Sequence, residues 1–178
     1  MSKKKPLWEE TRDLHHACEQ HAVGGAMSTG NPPRVWYAAW LQALHQIHLV
    51  IDKDVPDNVR RVERLESDMV AMNLGIEPFT AASEYVKTLD NEKALAGAIY
   101  VLTGAHLMGG EIMRRRLEGF PTEHLEWEDR KSSLAFLQTF RTRDDITDEA
   151  RACFQALLDI MDEIQDRHPE GIYLKPTQ

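Results

Sequence analysis

An all-α fold is predicted by three features of this 178-residue chain. Apolar residues recur at a helical period almost throughout. Glycine and proline break that period only at short intervals. No stretch alternates apolar and polar residues as a half-buried strand would. There is no internal repeat and no low-complexity segment. The length suits one domain with a substantial core, and helices with one apolar face each pack as a bundle. About seven helices are expected in a single domain over residues 7–168, with tails at 1–6 and 169–178.

The first helix is predicted from Leu7 to about Val23, with Thr11, Leu14, His15, Cys18 and Ala22 near one face. Gly24 and Gly25, then Thr29 to Pro33, read as the loop that follows. Pro32 and Pro33 suit the start of a second helix, about Val35 to Ile51, with Trp36, Ala39, Trp40, Ala43, Leu44 and Ile47 on its apolar side. A turn around Pro56 leads to a charged amphipathic helix from about Asn58 to Asn73, ended by Gly75 and Pro78. A shorter helix runs from Thr80 to Leu89. Asp90 or Asn91 caps a long helix that continues to about Leu117, where Gly119 and Pro121 stop it. Trp127 lies in a polar connection before a helix from Lys131 to Phe140. The last helix spans Thr147 to Arg167, with acids in its first turn that complement the helix dipole.

A net charge of −8 offers no basic surplus to displace counterions, so nucleic acid is excluded as the expected partner. The Lys3-Lys4-Lys5 run reads as a solvated tail. Two cysteines, Cys18 and Cys153, form neither a CxxC nor a zinc pattern, and with no secretory signal a reduced, cytoplasmic setting and free thiols are expected. The uncharged run from Ala94 to Gly110 falls short of the roughly 20 residues of a membrane span, holds His106 and Thr103, and meets three arginines, so it reads as a buried central helix.

That run carries four of the ten glycines: Gly97, Gly104, Gly109 and Gly110. Each costs a helix roughly 1 kcal/mol relative to alanine. Two readings account for them. Either a flat, bulky group approaches the backbone, or neighbouring helices pack tightly against it. Among the histidines, His45 and His48 are three apart on one helix, but no carboxylate accompanies them at ligand spacing, which makes a weak zinc signal. No Glu-x-x-His occurs, against a ferritin-type di-iron site. His15 and Glu19 are four apart on one helical face, where a carboxylate can fix the tautomer and direction of an imidazole, although an ordinary surface pair has the same spacing. No nucleophile elbow, phosphate loop or dinucleotide fingerprint is present.

Thr11, His15 and Glu19 in the first helix, with Gly109-Gly110 in the long one, resemble the haem oxygenase family. Arg64 to Asp68 resembles a family segment with Leu-Glu-x-Asp, and Phe140 to Arg143 with the helix after Thr147 resembles its closing helices. The resemblance implies a haem-oxygenase-like bundle that grips haem between a proximal and a distal helix. His15 inherits the axial-ligand role toward the haem iron, with Glu19 as its orienter, and His16 is the competing ligand if the register slips by one. Gly109 and Gly110 inherit the distal contact. The distal register is open. With no gap, Ala105 replaces the first distal glycine, His106 takes the place of an acidic residue that organises distal water, and Tyr100 falls on a propionate-contacting tyrosine. Alternatively, Gly104 is that glycine and one extra residue bulges the helix. Arg141 matches a propionate-binding arginine, while the family's nearby lysine falls on Leu137, for which Arg12, Arg143 or Lys131 are candidate substitutes.

The activity implied is oxidative opening of haem, as both cofactor and substrate, by dioxygen to biliverdin, carbon monoxide and iron. Electrons would come from a separate reductase or ferredoxin, and a monomer with no membrane partner is expected. The alternative is a non-catalytic haem or tetrapyrrole carrier or sensor of the same fold. A third possibility is a fold relative acting on another substrate, such as a metal-dependent oxidase or a thiaminase-like hydrolase.

Overall fold

The computed structural model describes residues 5–172, and no strand occurs among them. The expected tail at 1–6 therefore lies mostly outside the described residues, as do residues 173–178 of the expected C-terminal tail. The stretch Pro169–Ile172 forms a short 3-10 turn.

Where one helix is predicted from Leu7, three short ones form: α1 (Leu7–Glu10), α2 (Arg12–Gln20) and α3 (Ala22–Thr29). Thr11 is buried and its hydroxyl donates to the Leu7 carbonyl at 3.0 Å, closing the first break. His21 makes the second. Its backbone is extended, its Nδ1 accepts the Val23 N–H at 3.1 Å as the cap of α3, and its Nε2 meets Asp162 at 2.8 Å. The chain then doubles back so tightly that a Cβ at Gly24 would stand 1.9 Å from the Cys18 carbonyl oxygen. The glycine pair predicted to be loop is thus helical, because glycine is what the sharp bend requires.

Helix α4 (Arg34–Ile51) matches its predicted span and buries Trp36, Leu41, Leu44 and Ile47. The next helix, α5 (Val62–Ala71), starts later than Asn58. The Asp52 carboxylate explains the delay. It accepts the N–H groups of Arg61 at 2.6 Å and Val62 at 2.7 Å, satisfying orphan donors of the first turn from a distance. Helix α6 (Thr80–Lys87) is started similarly by Glu163, which accepts from Thr80 and Ala81 at 2.9 and 2.7 Å.

The long helix consists of α7 (Glu92–Gly104), a π turn (Ala105–Gly109) and α8 (Gly110–Arg116). Asn91, of the two candidate caps, accepts the Ala94 N–H at 3.0 Å. Helix α9 (Arg130–Arg141) is capped by Asp129, and α10 (Thr147–Arg167) spans the predicted range. By length and composition α7 to α8 could cross a bilayer, but 56% of its most apolar window is buried inside the bundle. Helix α10 is the central strut, packing on α7, α6, α4, α3 and α2. Its backbone touches α7 closely at Gly97, where a Cβ would stand 2.6 Å from the Glu149 carbonyl carbon and 2.8 Å from the Ala150 nitrogen.

That contact predicts a contrast between two glycines. Gly97→Ala must push α7 off α10 and costs about 2 kcal/mol, lowering the melting temperature by roughly 4–8 °C. Gly109, whose added Cβ meets nothing within 4 Å, accepts alanine within about 1 kcal/mol of the parent. Urea and thermal unfolding of the two variants check the difference.

Candidate functional site

Helix α2 is fastened to α10 at both ends. Arg151 of α10 donates to the Glu10 carbonyl and grips Asp13 with both terminal nitrogens at 2.7 and 2.9 Å, holding that carboxyl down to about 2, while His21 meets Asp162 beyond the helix end. Between these ties Leu14 and Cys18 are half-buried and His15, His16 and Glu19 are exposed. Cys18 and Cys153 are both free thiols. Glu19 lies between the two imidazoles, 3.8 Å from His15 Nδ1 and 3.9 Å from His16 Nδ1, contacts too long for hydrogen bonds. The two histidines differ in packing. The His15 ring stands edge-on to Phe154 of α10, centroids 5.9 Å apart at 84°. His15 is therefore a directed imidazole with no strong partner of its own.

The four glycines of the long helix divide between the two readings open in the sequence. Gly97 and Gly110 serve packing: the first admits α10, and the second lies against Leu125, whose side chain would be 3.2 Å from a Cβ there. Gly104 and Gly109 are different. A Cβ at Gly104 makes only ordinary contact with Leu137, and one at Gly109 meets nothing. Ala105 and Met108 are exposed beside them, with Ile112 one turn on. This is a flat strip of small and flexible apolar residues with accessible backbone.

The π turn of Ala105–Gly109 accommodates an extra residue in the long helix. It also decides where His106 goes. Its ring is buried, away from the exposed strip, stacked on His48 (5.3 Å, 22°) and edge-on to His124 (5.6 Å, 83°). The outer two imidazoles are each anchored to a buried carboxylate, His48 Nδ1 on Asp52 at 2.8 Å and His124 Nδ1 on Asp68 at 2.6 Å. Asp68 further accepts the N–H groups of Glu123 and His124 at 2.8 and 2.9 Å. Among the described residues, His48 Nε2 and His106 Nδ1 have no hydrogen-bond partner. Burial, reinforced by the surrounding imidazoles and Arg61, holds the pKa of His106 well below the ordinary 6.5. Burial also lowers that of His124, against the pull of Asp68. For Asp52, burial pushes up, but His48 and the two backbone donors outweigh it and hold the carboxyl below its usual value. The strip is thus backed by a layer of buried imidazoles, the outer two fixed by carboxylates.

His45 does not join this layer. Its Nε2 pairs with Glu66 at 3.0 Å, so the two histidines weighed as a metal pair go to different carboxylates. Among the described residues no group of three ligating side chains is arranged to hold a metal. Asp52, Asp68 and His124 were not singled out as site residues by sequence reasoning, although His48 and Asp52 share the four-residue spacing that drew attention to His15 and Glu19.

Tyr100 is half-buried on α7, where burial raises its hydroxyl pKa and the charge of Arg141, exposed at the end of α9, acts in the opposite sense. Leu137 is buried, and Arg143 is tied up by Glu92 and Asp145, while Arg12 and Lys131 are exposed. A groove of about 310 Å³ opens elsewhere, lined by Tyr85, Leu89, Ala94 and Ala152 among others, and includes none of the predicted site residues.

An exposed imidazole without a strong partner, a flat strip of accessible backbone, and a tyrosine and an arginine able to take carboxylates make a donor set that fits a haem. No family model matches the chain, and no curated protein sequence matches it. Solved structures do. The haem oxygenase of Leptospira interrogans superposes with a TM-score of 0.76 at 20% identity, covering 88% of this chain and 97% of that one. Haem oxygenase-1 of the cyanobacterium Synechocystis, in complex with haem, gives 0.78 at 18% identity, covering 94% of each chain. Its haem oxygenase-2, in complex with haem and NO, gives 0.73 at 17%, covering 97% and 92%. The chain has the all-helical haem oxygenase fold.

The buried imidazoles carry a pH prediction. The folded protein refuses protons at His106 and His124 that the unfolded chain binds near pH 6.5. Their contribution to stability is complete above that pH and is lost as pH falls below it, at up to about 1.4 kcal/mol per pH unit for each imidazole. Urea unfolding between pH 7.5 and 5 shows this slope, and His106→Phe makes it shallower.

Proposed function

We propose that the chain binds haem with His15 as the axial ligand and opens it oxidatively, with dioxygen, to biliverdin, carbon monoxide and iron. The observation that carries this reading is a directed, unspent imidazole on α2 and a flat backbone strip at Ala105–Gly109 that continues α7, with α2 and α7 both packed on α10 in a haem oxygenase fold. Bound haem would supply an iron that activates dioxygen and the ring that is attacked.

The chain's own residues provide position and polarity. Phe154 directs the His15 ring, and Glu19 lies near enough to join its Nδ1 once a bound group draws the imidazole into place. Gly104, Ala105 and Gly109 would keep the distal wall thin, while Gly110 packs on Leu125 behind it. Tyr100 and Arg141 would take the propionates. His106, with its ring in the interior, serves this reading as part of the polar layer behind the strip and not as an iron ligand. Electrons come from a separate reductase or ferredoxin.

One observation favours a second reading, a haem carrier or sensor. The exposed side chains of the π turn, Ala105 and Met108, offer no hydrogen-bond donor to the site. A carrier needs none, whereas oxidative opening needs a polar group or ordered water there.

Titration with hemin checks the binding claim. The parent protein and His16→Ala should give a histidine-type Soret band, and His15→Ala should lose it, with affinity lower by more than about tenfold. Failure of the parent to bind, or retention of the band in His15→Ala, overturns the reading. Reductant and dioxygen then separate the two: biliverdin supports the enzyme, and a persistent haem band supports the carrier.

A further inference from the structure

A π turn inside an α-helix has a hydrogen-bonding deficit. Where pairing passes from i, i+5 back to i, i+4, one carbonyl is skipped by the intrahelical ladder and its neighbour is poorly aligned. Buried carbonyls need partners, so such a turn persists where something outside the helix supplies donors. Here two side chains do. Trp127 Nε1 donates to the His106 carbonyl at 3.2 Å, and Arg130 Nη1 donates to the Leu107 carbonyl at 2.5 Å. Trp127 lies in the short segment leading into α9, and Arg130 is the first residue of that helix. That segment is itself held from beneath. Arg61 donates to the His124 and Glu126 carbonyls at 3.3 and 2.6 Å, and its guanidinium lies 3.9 Å from the centre of the Trp127 ring.

We propose that Trp127 and Arg130 are positioning residues of the candidate site: by occupying the His106 and Leu107 carbonyls they hold the π turn, and the turn keeps His106 inward and the Ala105–Met108–Gly109 strip outward. Its meaning for a bound ligand rests on the haem reading, whereas the clamp itself is a property of the chain alone.

The consequence of releasing the clamp follows from helix geometry. Without the two donors, the carbonyls turn to the amides of Gly110 and Glu111, and the segment winds up to the α repeat. One residue of an α-helix is a rotation of about 100°. The ends of the segment cannot share that rotation freely, because Gly97 is wedged against α10 and Gly110 against Leu125. It falls on residues 104–109, the stretch that separates buried His106 from the exposed strip.

The test uses Trp127→Phe, which keeps a ring under Arg61 and removes only the N–H, Arg130→Met, and the double variant. Arg130→Lys in the Trp127→Phe background retains a donor and should rescue. Two signals are read: the imidazole titration of His106 by NMR in protein without hemin, and the absorption spectrum with hemin. In the parent, His106 should not titrate near pH 6.5. In the double variant it should titrate close to that value, as an imidazole leaving the interior does, and the hemin spectrum should change its spin-state pattern. The single variants should fall between, which keeps the test decisive if the double variant folds poorly. A lower melting temperature with His106 still silent and the spectrum unchanged overturns the proposal, because that is what a merely structural role produces. A moved titration with an unchanged spectrum also overturns the role at the site. If the parent ignores hemin, the haem reading fails, and the titration still decides the clamp.

Discussion

The close approach of α7 to α10 at Gly97 is the constraint on which the rest of the structure depends. Two helix backbones in contact through a missing Cβ have no flexible side chain between them to absorb a shift. Helix α10 is therefore a fixed reference for the long helix. It is also the support of α2, through Arg151 at one end and Asp162 at the other. The exposed His15 face and the exposed glycine strip never need to touch in order to be held in relation. The helices that carry them, α2 and α7, are packed on the same strut, and Phe154 of that strut directs the His15 ring.

The long helix meets two opposed demands along its length. It must be tightly packed to serve as the core helix, and it must leave backbone open at one stretch. The glycines show how these are separated. Gly97 and Gly110 are filled against by neighbours, whereas Gly104 and Gly109 are not. Between the packed positions the helix changes its own repeat, so that the ring of His106 can reach His48 and His124 while its neighbours Ala105 and Met108 face outward. An uninterrupted α-helix offers one phase relation between those faces, and the π turn offers another.

How much of this was legible in the sequence depends on where the determining contact lies. Periodicity alone carries α4 and α10, whose boundaries follow from local apolar spacing and first-turn chemistry. It mispredicts α5, because the residue that sets its start, Asp52, comes from a preceding turn. It misreads Gly24 and Gly25 as loop, because a glycine pair marks either a break or a close approach, and only the doubled-back chain distinguishes them. The candidate site divides in the same way. His15, Glu19 and the glycine pair stand in a local pattern that resembles a known family. The imidazole layer draws on α4, α5, the long helix and the connection before α9, so no spacing within one segment announces it. The π turn is not announced by local spacing, since it is stabilised by donors from elsewhere in the chain.

The imidazole layer also bears on what the strip can do. Asp52 and Asp68 hold the Nδ1 atoms of His48 and His124, which leaves those rings with Nε2 as an acceptor when neutral. Burial keeps His106 neutral between them. His106 and His124, whose charged forms burial disfavours, add little field of their own on the other side of the helix, while His48 Nε2 and His106 Nδ1 are buried groups able to hold a water. A direct donor is missing from the exposed strip, so any proton delivered there must come from solvent or pass around the π turn from this layer. The distinction between an oxidative enzyme and a carrier thus reduces to whether the ordered polar groups behind Ala105 communicate with the space in front of it. The accessible backbone at Gly109, where even a methyl group would find no neighbour, is the place where such communication would be shortest.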